Sequence, residues 1–271
     1  MQKIAWLLTV LVFMSLAGSS EVRADVSGFN NLMNWMLNVG DAGPLPSYSA
    51  GTDTLRLTYA TGDVNRRSVF YNSPQAIAEF QAQFIYYELN RASNFGGAFG
   101  GTFTIQNSPS GPAALGGNGF GLGYSGIAPS AAVSMQIGSL PSGCFPTPSS
   151  SGLFFNGSVG GLGSCTLPVN LVSENPIQVT ISYSGSTLTQ TLQEIGTPNV
   201  YSVSYPGINL PAILGSSTAY VGFTASTAGD GGADQYFSGF QFTSIPEPAS
   251  GLLLALAGAL GLQRRNLRFR Q

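Results

Sequence analysis

Apolar and polar residues alternate with period two along several stretches of the chain. Leu55, Leu57 and Tyr59 alternate with Thr54, Arg56 and Thr58. Phe80, Ala82, Phe84 and Tyr86 do so through Gln81 and Gln83, and Ile177, Val179, Ile181 and Tyr183 through Gln178, Thr180 and Ser182. Tyr201, Val203 and Tyr205 are separated by serines, and Phe240 and Phe242 flank Gln241. This pattern predicts strands with one face buried and one face wet. Ser184-Gly185 between two such runs predicts a hairpin turn. No strong helical period is present, and only Leu32–Leu37 and Pro74–Glu79 suggest a turn or two of helix. No short repeat is visible, which argues against a propeller or a solenoid. The expectation is an all-β domain of two packed antiparallel sheets. Glycine-rich tracts at 96–101, 116–126, 157–163 and 229–232 are expected to be loops at the sheet ends.

Composition sharpens this picture. Gly, Pro and Ser supply 85 of the 271 residues, a level that by itself suggests low complexity. The chain is nevertheless 43% hydrophobic and 11% aromatic, the reverse of a disordered composition. Many short, glycine-punctuated strands reconcile the two. There is no histidine, which excludes a Ser-His-Asp triad, a Cys-His dyad and a His-ligated metal. Lys3 is the only lysine, and no basic stripe runs through the body, so nucleic acid is not an expected partner. Between residues 25 and 245 the four arginines, Arg56, Arg66, Arg67 and Arg91, face ten carboxylates, a net charge of −6. Such a surface offers nothing to anionic polymers.

The two ends carry addresses. Lys3, the apolar run Ile4–Leu16 and the small-residue site Val22-Arg23-Ala24 predict a secretory signal peptide over 1–24. At the other end, 245–271, come Pro246-Glu247-Pro248, a twelve-residue Gly/Ala/Leu run from Gly251 to Leu262, and Arg264, Arg265, Arg268 and Arg270. As a helix that run spans about 18 Å, short of a hydrocarbon core of ~30 Å. This three-part order resembles the PEP-CTERM sorting signal of Gram-negative bacteria. The resemblance implies processing by an exosortase, a membrane cysteine protease. It also implies transient anchoring in the inner membrane through the short C-terminal hydrophobic helix, then delivery to the cell surface or extracellular matrix.

The body, 25–244, is similar in several pieces to the L-type, legume-like lectins. Phe29-Asn30-Asn31 is similar to their opening strand. Arg67-Ser68-Val69-Phe70-Tyr71 resembles a GSAFY stretch, and Gly100-Gly101-Thr102-Phe103-Thr104-Ile105-Gln106-Asn107 a DGFTFVIQN strand. Leu115 to Tyr124 resembles a GGxxGLGY loop, and Ala219 to Thr227 an AYVGFTAxTG segment. The resemblance implies a concanavalin A-like jelly-roll β-sandwich and a carbohydrate site built from Phe99, Gly117, Asn118, Gly119, Ala225, Ser226 and Thr227. The departures fall on the binding chemistry. Phe99 stands where the family places its sugar-binding Asp. Ser134 and Gln136 stand where a VEFD-like strand supplies Glu and Asp to the metals. No Asp or Glu occurs between Glu88 and Glu174. Hard cations need carboxylate oxygens, so no metal and no cofactor is expected.

Cys144 and Cys165 are the only cysteines, and an even count in an exported chain favours a disulfide. Closing that loop would contribute about 3 kcal/mol in the chain-entropy picture. Asp230-Gly231-Gly232-Ala233-Asp234 lacks the spacing of a Ca²⁺ loop, since Gly232 falls on a ligand position. No catalytic residues are expected. Glycoside hydrolysis needs two carboxylates facing one cleft, and Glu79 and Glu88 flank one strand. The sequence therefore points to an exported, lectin-like surface or matrix protein. It would bind a glycan or exopolysaccharide weakly and without metal, or would have kept the fold as a structural protein and lost sugar binding.

Overall fold

The computed structural model describes residues 25–41, 43–61, 63–91, 98–138, 149–160, 162–229 and 231–245. The expected signal peptide, the sorting tail from Pro246 onward and Cys144 lie outside the described residues. Two eight-stranded antiparallel sheets face each other in a jelly-roll-like sandwich. The back sheet runs β14 (Val200–Pro206), β13 (Thr187–Glu194), β12 (Ile177–Ser184), β7 (Glu79–Leu89), β16 (Asp234–Ser244), β4 (Thr54–Thr58), β3 (Ser47–Ser49), with β1 (Val26–Ser27) paired to β16. The front sheet runs β11 (Leu162–Ser164), β10 (Ser150–Phe155), β9 (Ser130–Gln136), β8 (Ala98–Gln106), β15 (Thr218–Thr227), β5 (Arg66–Tyr71), β2 (Trp35–Gly40), with β6 (Gln75–Ala76) paired to β15. A five-residue helix, α1 (Leu210–Leu214), precedes β15. Asn209 caps it, its side-chain oxygen accepting from the Ala212 amide at 3.0 Å.

The period-two runs behave as expected. Phe80, Ala82, Phe84 and Tyr86 on β7 are buried, as are Ile177, Val179, Ile181 and Tyr183 on β12. Ser184-Gly185 turns β12 into β13, with Gly185 at φ +71°. The centre of the sandwich is aromatic. Phe223 of β15 lies 4.6 Å from Phe237, 4.9 Å from Phe84, 5.1 Å from Phe240, 5.8 Å from Phe103 and 5.9 Å from Phe29, centroid to centroid. Rings from both sheets and from the N-terminal segment thus meet at one side chain. Tilted and edge-on pairs of this kind add to the stabilisation from burial.

Two expectations fail. The helices suggested at Leu32–Leu37 and Pro74–Glu79 do not form. The first region is a 3₁₀ turn over Asn30–Leu32 followed by β2; the second joins β6 to the start of β7. Cross-strand partners decide the matter: Trp35 pairs with Tyr71, and Gln75 with Ala219. The tract at 96–101 is also not wholly loop, because Gly100 and Gly101 lie inside β8. A Cβ at Gly100 would sit 2.0 Å from the Met135 carbonyl oxygen, and one at Gly101 would sit 2.6 Å from that of Thr224. These glycines let strands approach closely. Likewise Gly163 of the 157–163 tract pairs with Gly152 in β11.

Because Phe223 unites the rings, Phe223→Ala is expected to destabilise the fold by about 3–5 kcal/mol, the range for emptying a buried aromatic site. Urea denaturation checks this, and a loss below about 1 kcal/mol would contradict the central role given to that ring.

Candidate functional site

The segment between β8 and β9 folds back over the outer face of the front sheet. Side chains on that face hold it by its backbone carbonyls. Ser68 Oγ donates to the Ala114 oxygen at 2.6 Å, Asn38 Nδ2 to Pro112 at 2.8 Å, Thr224 Oγ1 to Leu122 at 2.7 Å and Ser226 Oγ to Gly119 at 2.9 Å. Thr102 and Thr104 bond each other, and Thr102 bonds Thr224 at 2.8 Å. Gly123, at φ +70°, lies directly on the sheet: a Cβ there would meet the carbonyl oxygens of Arg67 and Ala225 at 2.7 and 2.8 Å. Beneath the loop Phe70, Phe99, Ala114, Leu122, Tyr124, Ile127, Ala132 and Phe154 form a second apolar cluster, a satellite core of the kind found under long loops.

The structure brings the candidate sugar residues together at one end of the sandwich, but it exposes few of them. Gly100 has φ +112° and breaks the alternation of β8. Phe99 therefore turns toward the loop and joins the second cluster, with 5% of its surface exposed. Phe120 covers it, ring centroids 4.3 Å apart, and is itself 44% exposed. Gly119 packs on Phe99 from above: a Cβ there would lie 3.6 Å from the ring. Ala225, Ser226 and Thr227 are buried. Thr227 Oγ1 donates to the Asp63 carbonyl at 3.1 Å and accepts from the Asn65 amide at 3.0 Å. Gly117 exchanges backbone bonds with Ser125 and Gly123. Asn118 is exposed, and its carbonyl accepts from Gly121 at 2.8 Å. Of the candidate residues only Asn118 is exposed, and the exposed ring of Phe120 lies two positions further on. Sequence reasoning missed Phe120. It also missed the hydroxyl ladder, although Thr102, Thr104, Thr224 and Ser226 at alternate strand positions carried that signal.

At the positions of the expected metal ligands the side chains are neutral and already engaged. Ser134 Oγ accepts from the Gly152 amide at 3.1 Å and from Gln136 Nε2 at 3.0 Å. Gln136 Oε1 accepts from Ser150 Oγ at 2.8 Å. Both residues are buried. A divalent ion needs several carboxylate oxygens. Among the described residues no group of three His, Cys, Asp or Glu side chains converges. These residues do not fit a cation.

Comparison with known proteins agrees with this architecture. The legume lectin domain family matches residues 47–252, most of the chain. The chain belongs to the legume lectin domain family. A second match, to the PEP-CTERM protein-sorting motif, covers 244–268. Solved lectins share the fold at low identity. A Bauhinia forficata lectin in complex with GalNAc superposes with a TM-score of 0.64 at 17% identity, covering 81% of this chain and 97% of that one. Lectin II from Ulex europaeus gives 0.64 at 16%, covering 82% and 100%. A metal-free form of lectin I-B4 from Griffonia simplicifolia gives 0.63 at 18%, covering 85% and 97%. No curated protein matches the sequence significantly.

Among the described residues three carboxylates of this lectin-fold domain are buried, each in a different setting. Asp234, at the start of β16, pairs with Arg56 and accepts from the Ala60 amide at 2.6 Å and from Asn90 Nδ2 at 2.8 Å. It is an anchor at the edge of the loop end; Asp230 lies outside the described residues. Glu194 closes β13 and accepts from Ser173 Oγ, Asn175 Nδ2, Asn199 Nδ2 and the Asn170 amide. Burial pushes its pKa up, but these four donors outweigh burial and hold it at about 2. Glu88 on β7 is buried, and its Oε2 has no hydrogen-bond partner among the described residues. Burial raises its pKa to about 7, with Arg91 opposing and Glu174 and Asp234 reinforcing.

Glu88 folds more readily protonated, so its contribution is most favourable below the ordinary value of 4.5 and is lost as pH rises through about 7. Glu194 contributes above 4.5 and loses that contribution only as pH falls toward about 2. Between pH 5 and 8, stability is therefore expected to fall with rising pH, and Glu88→Gln is expected to flatten the decline. Urea midpoints at the two pH values test this. An equal decline in Glu88→Gln would remove Glu88 as its source.

Proposed function

We propose that the chain is an exported, lectin-like protein displayed on the cell surface or in the extracellular matrix, binding carbohydrate weakly and without metal. Residues 1–24 act as the signal peptide, 25–244 as the lectin-like sandwich, and 245–271 as the tail that an exosortase processes. The observation that carries this reading is the lectin sandwich joined to a sorting motif at 244–268. The apolar run from Gly251 to Leu262 holds the precursor in the inner membrane before processing. Among the described residues no helix is long and apolar enough to cross a membrane.

At the loop end, Asn118 and the exposed ring of Phe120 are the proposed carbohydrate contacts, supported by Gly117 and Gly119 as loop formers. Asn118 offers a donor and an acceptor. Cys144 and Cys165 form the proposed disulfide; Cys144 lies outside the described residues. No catalysis is proposed. Glu79 and Glu88 lie nine positions apart on β7, roughly 30 Å of strand, far beyond the separation of paired catalytic acids.

A second reading, a structural protein that kept the fold and lost sugar binding, is favoured by the burial of Phe99, Ser226 and Thr227. A glycan array probed with the full chain, with and without EDTA, separates the two. Binding to at least one glycan, unchanged by EDTA, is expected. Binding to none supports the structural reading, and binding abolished by EDTA contradicts the metal-free mechanism.

A further inference from the structure

A polar cavity of about 470 Å³ opens at the other end of β4, between β1, β3 and the bulge of β16. It lies roughly 20 Å of strand away from the loop end, and nothing in the lectin comparison assigns it a role. Asp53 lines it. Its Oδ1 accepts from the Phe29 amide and from the Tyr48 hydroxyl, both at 2.9 Å. Its Oδ2 has no hydrogen-bond partner among the described residues. Gly28, at φ +70°, makes room for that oxygen: a Cβ there would lie 2.7 Å from it. Asn31, also with positive φ, and Gln241 complete the rim. Both are exposed, and each presents a donor and an acceptor. The volume falls in the range of small-molecule sites.

The lining chemistry selects its occupant. It contains one carboxylate, three amides (Asn30, Asn31 and Gln241), a serine hydroxyl and a phenol, and no cationic residue. An anion would meet Asp53 with nothing to neutralise it. A bare divalent cation would find one carboxylate where several are needed. A neutral ligand rich in hydroxyls suits the set: its O–H groups donate to Asp53 Oδ2, and its oxygens accept from the amides of Asn31 and Gln241. We infer that this cavity is a saccharide-binding site for one neutral sugar unit, separate from the loop end and independent of metal. The inference extends the lectin-like reading to a second location.

Hydrogen-exchange mass spectrometry of the full chain locates the site. The probes are the methyl glycosides of glucose, galactose and mannose, N-acetylglucosamine, and glucuronate as the anionic control, at millimolar concentrations. At least one neutral sugar is expected to slow exchange in peptides covering 27–32 and 239–242, with glucuronate at least tenfold weaker. Asp53→Asn keeps an acceptor for Phe29 and Tyr48 but removes the charge, and it is expected to weaken the effect about tenfold. Gln241→Ala, at an exposed position, is expected to weaken it at least threefold, and it decides the matter if Asp53→Asn folds poorly. Phe120→Ala is expected to leave it unchanged. Protection confined to 117–125 would overturn the cavity site while leaving the lectin-like reading standing. No protection with any neutral sugar would remove both. Equal binding of glucuronate, or insensitivity to Gln241→Ala, would also overturn the assignment.

Discussion

The loop end of this sandwich depends on hydroxyl and amide side chains of the front sheet reaching up to backbone carbonyls of the segment above. Ser68, Asn38, Thr224 and Ser226 each take one carbonyl. A buried carbonyl without a partner costs roughly 1–3 kcal/mol, so these four bonds decide whether the segment can lie on the sheet at all. They also explain why Gly123 is bare: the backbone must come within contact of two sheet carbonyls. Once the segment is down, Leu122, Tyr124 and Ile127 close over Phe70, Ala132 and Phe154, and the apolar cluster forms.

Buried polar side chains elsewhere on the front sheet are satisfied in the same way, by neutral partners. Ser134 and Gln136 are buried between strands, with their oxygens and nitrogens bonded to one another, to Ser150 and to Gly152. Ionised groups in these positions would require a cation to balance them. Neutral groups need only each other. Phe99 is the plug that joins the loop to the sheet, and Phe120 is the exposed aromatic surface.

Much of the sandwich was legible in the sequence because β7, β12 and β16 each bury one face and expose the other, which leaves a period of two. The order of the lectin-like pieces added the topology. What was not legible depends on contacts distant in sequence. The stretch around Leu32–Leu37 has no strand pattern of its own and becomes β2 by pairing with β5. By composition Gly100 and Gly101 look like loop residues, and only the lectin resemblance put them in a strand; their missing Cβ atoms let neighbouring backbones approach. The direction of Phe99 was hidden for the same reason, since the φ of Gly100 turns it from the main core to the loop. The Asp53 cavity joins residues up to 214 positions apart, from Ser27 to Gln241, and no local motif announces it.

Neutral hydrogen bonds hold the loop segment on the front sheet, so its stability is expected not to depend on a metal. The most direct test is the thermal unfolding midpoint of the full chain, measured with EDTA, with no addition, and with excess Ca²⁺ and Mn²⁺. A ligand that binds only the folded state raises that midpoint. The account predicts the same midpoint in every condition. A midpoint that rises with Ca²⁺ or Mn²⁺ and falls with EDTA would contradict it.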